Sequence, residues 1–181
     1  QTGTNAYAIK RFDRTEDGGA IHIEDFAQIF SVYPEKKYSA ASYRNIAEVI
    51  WLEMGEVGIV EFMRRFIFNA LIGNADMHVK NWSIIYPDGR TAALAPAYDF
   101  LSTIPYIKDD EFALKFVDSK SFDSLTIEQL NRFSAKVGAP KKLILDTAME
   151  TIESFQEHWK HINDLGLSND LKKIINTHLK K

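Results

Sequence analysis

Between Ile59 and Ile72 the apolar residues Ile59, Phe62, Met63, Phe66, Ile67, Ala70 and Leu71 recur at intervals of three and four. That spacing predicts a helix buried along one face, because residues three and four apart share a side of a 3.6-residue turn. Gly73 follows directly, and glycine readily takes the left-handed conformation that closes a helix C-terminus. The chain then turns polar, in Asn74-Ala75-Asp76-Met77-His78-Val79-Lys80-Asn81. A loop leaving a buried helix end is braced from behind, so its side chains can be held for chemistry.

The rest of the chain reads as mainly α with small β-hairpins, an α+β arrangement. Residues 6–12 have strand character, Glu16-Asp17-Gly18-Gly19 is a turn signal, and 20–23 is expected to return as the partner strand. Residues 24–30 fit a short helix and Tyr43 to Met54 a longer one. Two short β-prone runs flank Pro87-Asp88-Gly89-Arg90, where proline presets φ, aspartate caps the turn and glycine takes positive φ; a hairpin is predicted there. Thr126 to Gln129 has capping-box spacing, and Gly138-Ala139-Pro140 separates two helices, with proline suited to a first turn. Ile144, Ala148, Ile152, Phe155, Trp159 and Ile162 form the stripe of one long helix ended by Gly166, and Ser168 caps a last helix.

Composition excludes several function classes. With 45% hydrophobic and 26% charged residues among 181, the chain has the makeup of a soluble globular domain with a core of its own. A net charge of −3 argues against broad electrostatic binding of nucleic acid by this chain alone. The absence of cysteine excludes disulfides and thiolate metal sites and is compatible with a reducing compartment. No apolar run approaches membrane-spanning length, and no signal peptide is visible.

Asp76 stands five residues before Asn81, the spacing of the acid and amide in a protein-kinase catalytic loop, and Asp99 follows eighteen residues later beyond the predicted hairpin. Phosphoryl transfer needs one carboxylate to orient or deprotonate the attacking hydroxyl, and an amide oxygen with a second carboxylate to hold Mg²⁺. Other readings stay open. Asp76, His78 and Asn81 are also residue types that favour loops after helices, because their side chains bond nearby backbone. Asp-x-His also opens the metal site of many metallophosphoesterases, although His158, His161 and His178 fall on predicted helices without that class's context. Lys80 suits either a phosphate contact or a solvated charge. His78 fits a residue that fixes the loop better than one that transfers a proton. Arg11, Asp13 and Arg14 read as a surface ion-pair cluster of little energetic weight.

Several blocks occur in order: Lys10-Arg11-Phe12-Asp13-Arg14, Glu24-Asp25-Phe26-Ala27-Gln28, Lys37-Tyr38, residues 69–81 and Leu94-Ala95-Pro96-Ala97-Tyr98-Asp99. Together, over about residues 6–180, they resemble the C-terminal part of HipA-type serine/threonine kinases, the toxins of bacterial toxin–antitoxin modules. The resemblance implies a kinase-like helical lobe over 24–181, preceded by a hinge hairpin over 6–23. It implies that Asp76 is the catalytic base, with His78 and Lys80 in its loop, and that Asn81 and Asp99 bind Mg²⁺. Lys10 to Phe12 would form the hinge whose backbone meets the adenine of ATP, with Asp13 near the ribose; Asp25 and Gln28 receive no chemistry.

The implied partners are a protein substrate bearing the target serine, such as an aminoacyl-tRNA synthetase, and a HipB-like or small HipS-like antitoxin. DNA would be met only through the antitoxin, no membrane is involved, and the setting is the bacterial cytoplasm. Family members also carry an upstream lobe with a glycine-rich phosphate loop, an autophosphorylated serine and an ATP-binding lysine. None of these has a counterpart here, and Lys10, at the hinge, is not that lysine. Without that lobe the 181 residues are expected to bind ATP weakly and to lack significant kinase activity. The competing class is a non-catalytic helical interaction module of kinase-like shape, which loss of Asp76, Asn81 or Asp99 would have favoured.

Overall fold

The computed structural model describes residues 8–107 and 111–180. Its elements in chain order are strand β1 (His22–Asp25), the short helix α1 (Phe26–Ile29), the long helix α2 (Tyr43–Leu71) and strands β2 (Ser83–Tyr86) and β3 (Ala93–Leu94). Helices α3 (Ile127–Val137), α4 (Lys141–Trp159) and α5 (Asn169–His178) follow. The mainly helical expectation holds, with a small antiparallel sheet in the order β1-β2-β3.

Helix α2 joins the two helices expected from the sequence. Gly55 breaks it with φ 58 and ψ −141, a conformation open to glycine and costly for a residue with a Cβ. Ser42 caps its start: the hydroxyl accepts from the Asn45 N–H, and the Asn45 side chain returns to the Ser42 backbone. The second half is the predicted buried helix, with Ile59, Phe62, Met63, Phe66 and Ile67 fully buried. Phe62 and Phe66 join Phe112, Phe116 and Phe133 in a stacked aromatic core; the Phe66–Phe116 centroids lie 4.7 Å apart and the Phe116–Phe133 centroids 4.8 Å apart. Burying five phenylalanine rings contributes on the order of 10 kcal/mol of gross hydrophobic free energy, and it anchors the helix end from which the polar loop departs.

The predicted hairpin is present, as β2 and β3 with Ile84 opposite Leu94. Among the described residues the expected N-terminal hairpin is not formed. Residues 6 and 7 lie outside the described residues, 8–12 form no strand, and a single bridge, Arg14 to Ala20, closes the turn. The return strand pairs instead with β2, His22 opposite Tyr86 and Asp25 opposite Ser83. An isolated two-stranded ribbon is marginal in water, whereas adding β1 to the buried edge of β2 builds a three-stranded sheet.

The C-terminal half departs from expectation in smaller ways. Helix α4 stops at Trp159, and Gly166 ends a separate 3₁₀ turn, Ile162–Leu165. Pro140 is the residue before α4 rather than its first turn. Thr126 caps α3 through the Gln129 N–H, but the buried Gln129 Oε1 has no hydrogen-bond partner, so the capping box is half made. No helix among the described residues is long and apolar enough to cross a membrane.

Candidate active site

The loop after α2 is built from buried amides. Gly73 takes φ 65, and a Cβ there would stand 2.6 Å from Ile104. Its carbonyl accepts from the Thr103 N–H at 3.0 Å and the Thr103 hydroxyl at 3.1 Å, which draws the segment after Asp99 against the helix end. Asn74, almost fully buried, then joins three parts of the site. Its Nδ2 donates to Asn69 Oδ1 at 2.7 Å and to the Asp99 carbonyl at 3.4 Å, and its Oδ1 accepts from the Asp76 N–H at 3.0 Å. Beyond it Met77 and Val79 enter the core, and the buried Tyr43 hydroxyl donates to the Met77 carbonyl at 2.9 Å. This alternation leaves the Asp76 side chain 43% exposed while the backbone on either side is fixed.

Asn81 donates through Nδ2 to the Asp76 carbonyl at 2.8 Å. The acid and the amide five residues apart are thus joined, and the Asn81 oxygen is the atom left to bind a cation. His78 is buried, and its Nδ1 accepts from the Lys80 N–H at 3.3 Å. Its proton therefore sits on Nε2, 3.8 Å from Asp76 Oδ1. Burial, and secondarily Lys37, hold the imidazole below its ordinary pKa, so it is neutral near pH 7. The Tyr38 hydroxyl donates to Asp76 Oδ1 at 2.5 Å.

Asp99 lies beside this loop. Its neighbour Tyr98 donates to the Lys80 carbonyl at 2.8 Å and shares a 2.5 Å hydrogen bond with Ser83, which brings 98–99 against 80–81. Burial is the main cause that raises the Tyr38 and Tyr98 phenols, and the nearby Asp99 adds to it. The residue is exposed and has φ 58, a left-handed conformation that aspartate tolerates better than most residues. Lys80 Nζ pairs with Asp25 Oδ2 at 3.2 Å. Asp25 and Gln28, which drew no chemistry from the sequence, form the capping box of α1.

The hinge candidates divide. The Phe12 ring lies 5.8 Å from that of Tyr98, next to Asp99. Lys10 is exposed, and among the described residues no hydrogen bond or ion pair ties it to the site. Asp13 is gripped by Arg11 through two hydrogen bonds, 2.8 and 2.5 Å, and by Arg14 at 2.7 Å. The hydrogen bond from Arg11 is the main cause that lowers its pKa to about 2. Its carboxylate is already occupied by cations of its own segment.

A Mg²⁺ ion on a nucleotide fits this donor set. Such ions take one or two protein oxygens and fill the remaining positions with phosphate oxygens and water, which is what Asn81 and Asp99 offer. Among the described residues no group of three or more His, Cys, Asp or Glu converges as a protein-only metal cage requires. His158 and His178 lie elsewhere, bonded to the Ser154 and Ala70 carbonyls.

Thr103 drew no notice from the sequence, and Tyr38, Asn69, Asn74 and Tyr98 lay within matching blocks without a role of their own. One signal was available for Asn69, a polar residue inside an apolar helical stripe.

Comparison with known proteins finds relatives of this chain. "Putative kinase Y4dM" of Sinorhizobium fredii is 49% identical over 175 residues, covering 96% of this chain and 42% of the relative. "Putative kinase Y4mE" of the same organism is 36% identical over 107 residues, covering 54% of this chain and 25% of the relative. A solved Shewanella oneidensis complex of the toxin–antitoxin proteins HipA and HipB with operator DNA contains a chain that superposes with a TM-score of 0.76 at 20% identity, a likeness of fold. That match covers 94% of this chain and 45% of the other, so the chain spans less than half the length of these relatives. The HipA-like C-terminal domain model matches residues 1–159, and the chain belongs to that family.

Proposed function

We propose that this chain is the catalytic lobe of a HipA-type serine/threonine protein kinase that moves the γ-phosphoryl group of Mg-ATP to a serine of a cellular protein. The carrying observation is the Asn81 side chain bonded to the Asp76 carbonyl, with Asp99 brought alongside through Tyr98 and Asn74. That arrangement supplies an acid for the attacking hydroxyl and two oxygens for the metal in one rigid unit. In this reading Asp76 accepts the hydroxyl proton. Asn81 and Asp99 would hold Mg²⁺, which when bound would neutralise charge on the phosphates. His78, neutral and buried, fixes the loop. Lys80, paired with Asp25, braces the loop against α1 rather than reaching for phosphate.

In this reading the backbone of Lys10 to Phe12 meets the adenine, and most phosphate contacts would come from a second lobe carrying a glycine-rich loop, so the 181 residues alone would bind ATP weakly and transfer no phosphate at a significant rate. Phe12, against Tyr98, marks the side on which that lobe meets this one. An aminoacyl-tRNA synthetase is a fitting target class, and a HipB-like or HipS-like antitoxin a fitting restraint. DNA contact then runs through the antitoxin, in the cytoplasm of a bacterium.

The test is phosphoryl transfer by the full-length protein that carries this chain. Wild type should transfer label from ATP to protein, and Asp76→Ala should lose about 10²–10⁴-fold in rate. Full transfer by Asp76→Ala would remove the base from this scheme. Robust transfer by the 181 residues alone would remove the need for a second lobe.

A further inference from the structure

We infer that Tyr38 is the positioning residue of the Asp76 carboxylate: it holds Oδ1 and leaves Oδ2 to receive the acceptor hydroxyl from the adjoining cleft. The inference rests on the kinase reading above. The Tyr38 hydroxyl meets Asp76 Oδ1 at 2.5 Å, and the same oxygen faces His78 Nε2 at 3.8 Å. Both neighbours lie on the Oδ1 side, so Oδ2 is the oxygen available to an incoming group.

Tyr38 is itself held in place. Its ring stands edge-on to His78 with centroids 5.1 Å apart, Lys37 Nζ lies 4.8 Å from the ring centre, and its carbonyl accepts from Lys120 Nζ at 3.2 Å. Lys120 is in turn tied to the core, since its carbonyl accepts from the N–H of the fully buried Phe112 at 2.6 Å. The hydroxyl is a donor at neutral pH, as an ordinary phenol is, and burial with the bond to Asp76 pushes it further up to about 12.

Beside this pair opens a cleft of about 660 Å³ bordered by Tyr38, Asp76, Thr103, Tyr106, Phe112 and Lys120. It is large enough for a residue of a peptide chain. A serine hydroxyl entering it gives its proton to Oδ2. Its oxygen bonds to the γ-phosphorus, and the β–γ bridge bond breaks to release ADP. With Oδ1 fixed by tyrosine, the carboxylate plane is set before the acceptor arrives, which is the pre-organisation that proximity catalysis exploits.

The experiment compares wild type, Tyr38→Phe and Asp76→Ala in the full-length protein. Tyr38→Phe keeps the ring against His78 and removes only the donor. It should lower kcat about 10- to 100-fold while Mg-ATP affinity and the thermal midpoint stay at wild-type values. An unchanged kcat would overturn the inference, and so would a loss of kcat accompanied by equal losses of nucleotide affinity and stability, the mark of a merely structural role. If wild type transfers no phosphate, or Asp76→Ala still does, the kinase reading fails instead, so the two failures are distinct.

Discussion

The loops around Asp76 and Asp99 bring two acids to one place and hold them by opposite means. At Asp76 the N–H is held by Asn74, the carbonyl by Asn81 and one carboxylate oxygen, Oδ1, by Tyr38. At Asp99 the neighbours are anchored and the acid is not. Tyr98 is tied to Lys80 and Ser83, Phe100 stacks on Phe68 at 5.8 Å, and Asn74 touches only the Asp99 carbonyl. Among the described residues no hydrogen bond reaches the Asp99 carboxylate. The difference matches the two tasks proposed for these acids. A base must be aimed before its substrate arrives, whereas a metal ligand is oriented by the cation it binds and needs only a correctly placed backbone.

The comparison can be broken most severely at Asn74, whose side chain bonds to both loops. Asn74→Ala leaves Asn69 Oδ1 and the Asp76 N–H without their partner, and should cost about 1–3 kcal/mol, read as a lower urea midpoint with an unchanged slope. A loss below a few tenths would mean that the buried amides are dispensable.

The next effect lies at Asp99 itself. Because φ is 58 there, glycine should be tolerated better than alanine. Asp99→Gly should be more stable than Asp99→Ala by about 1 kcal/mol, the reverse of their order in a helix. Equal melting midpoints would show that this backbone stores no strain.

The smallest effect concerns pH. Burial holds His78 below its ordinary value of 6.5, so the unfolded chain binds that proton more readily than the folded one. The stability this contributes is complete above about pH 6.5 and declines as the pH falls below it. His78→Gln should remove that slope, so the gap between wild type and variant should narrow from pH 7 to 5. A gap that is constant or widens on acidification would contradict the buried neutral imidazole.

Local features were legible in the sequence, and distant pairings were not. Helix α2, its Gly73 terminus and the β2–β3 hairpin follow from periodicity and turn chemistry within a few residues. The blocks around Asp76 and Asp99 gave the family and a candidate site. The partners of that site come from afar: Tyr38 is 38 residues from Asp76, and Asp25 is 55 from Lys80. Nothing in the local pattern states that β1 will leave its expected hairpin to pair with β2, because the choice depends on which edge lies over the core. The left-handed turn at Asp99 was equally hidden, since aspartate gives no glycine-like signal.

The most direct test of the division between the two acids is calorimetric titration of Mg-ATP into the full-length protein carrying either Asp76→Ala or Asp99→Ala. Asp76→Ala should bind as wild type does, because the base meets the acceptor and not the nucleotide. Asp99→Ala should lose the magnesium-dependent part of the affinity. Equal weakening by both substitutions, or wild-type binding by Asp99→Ala, would contradict the assignment of base and metal ligand.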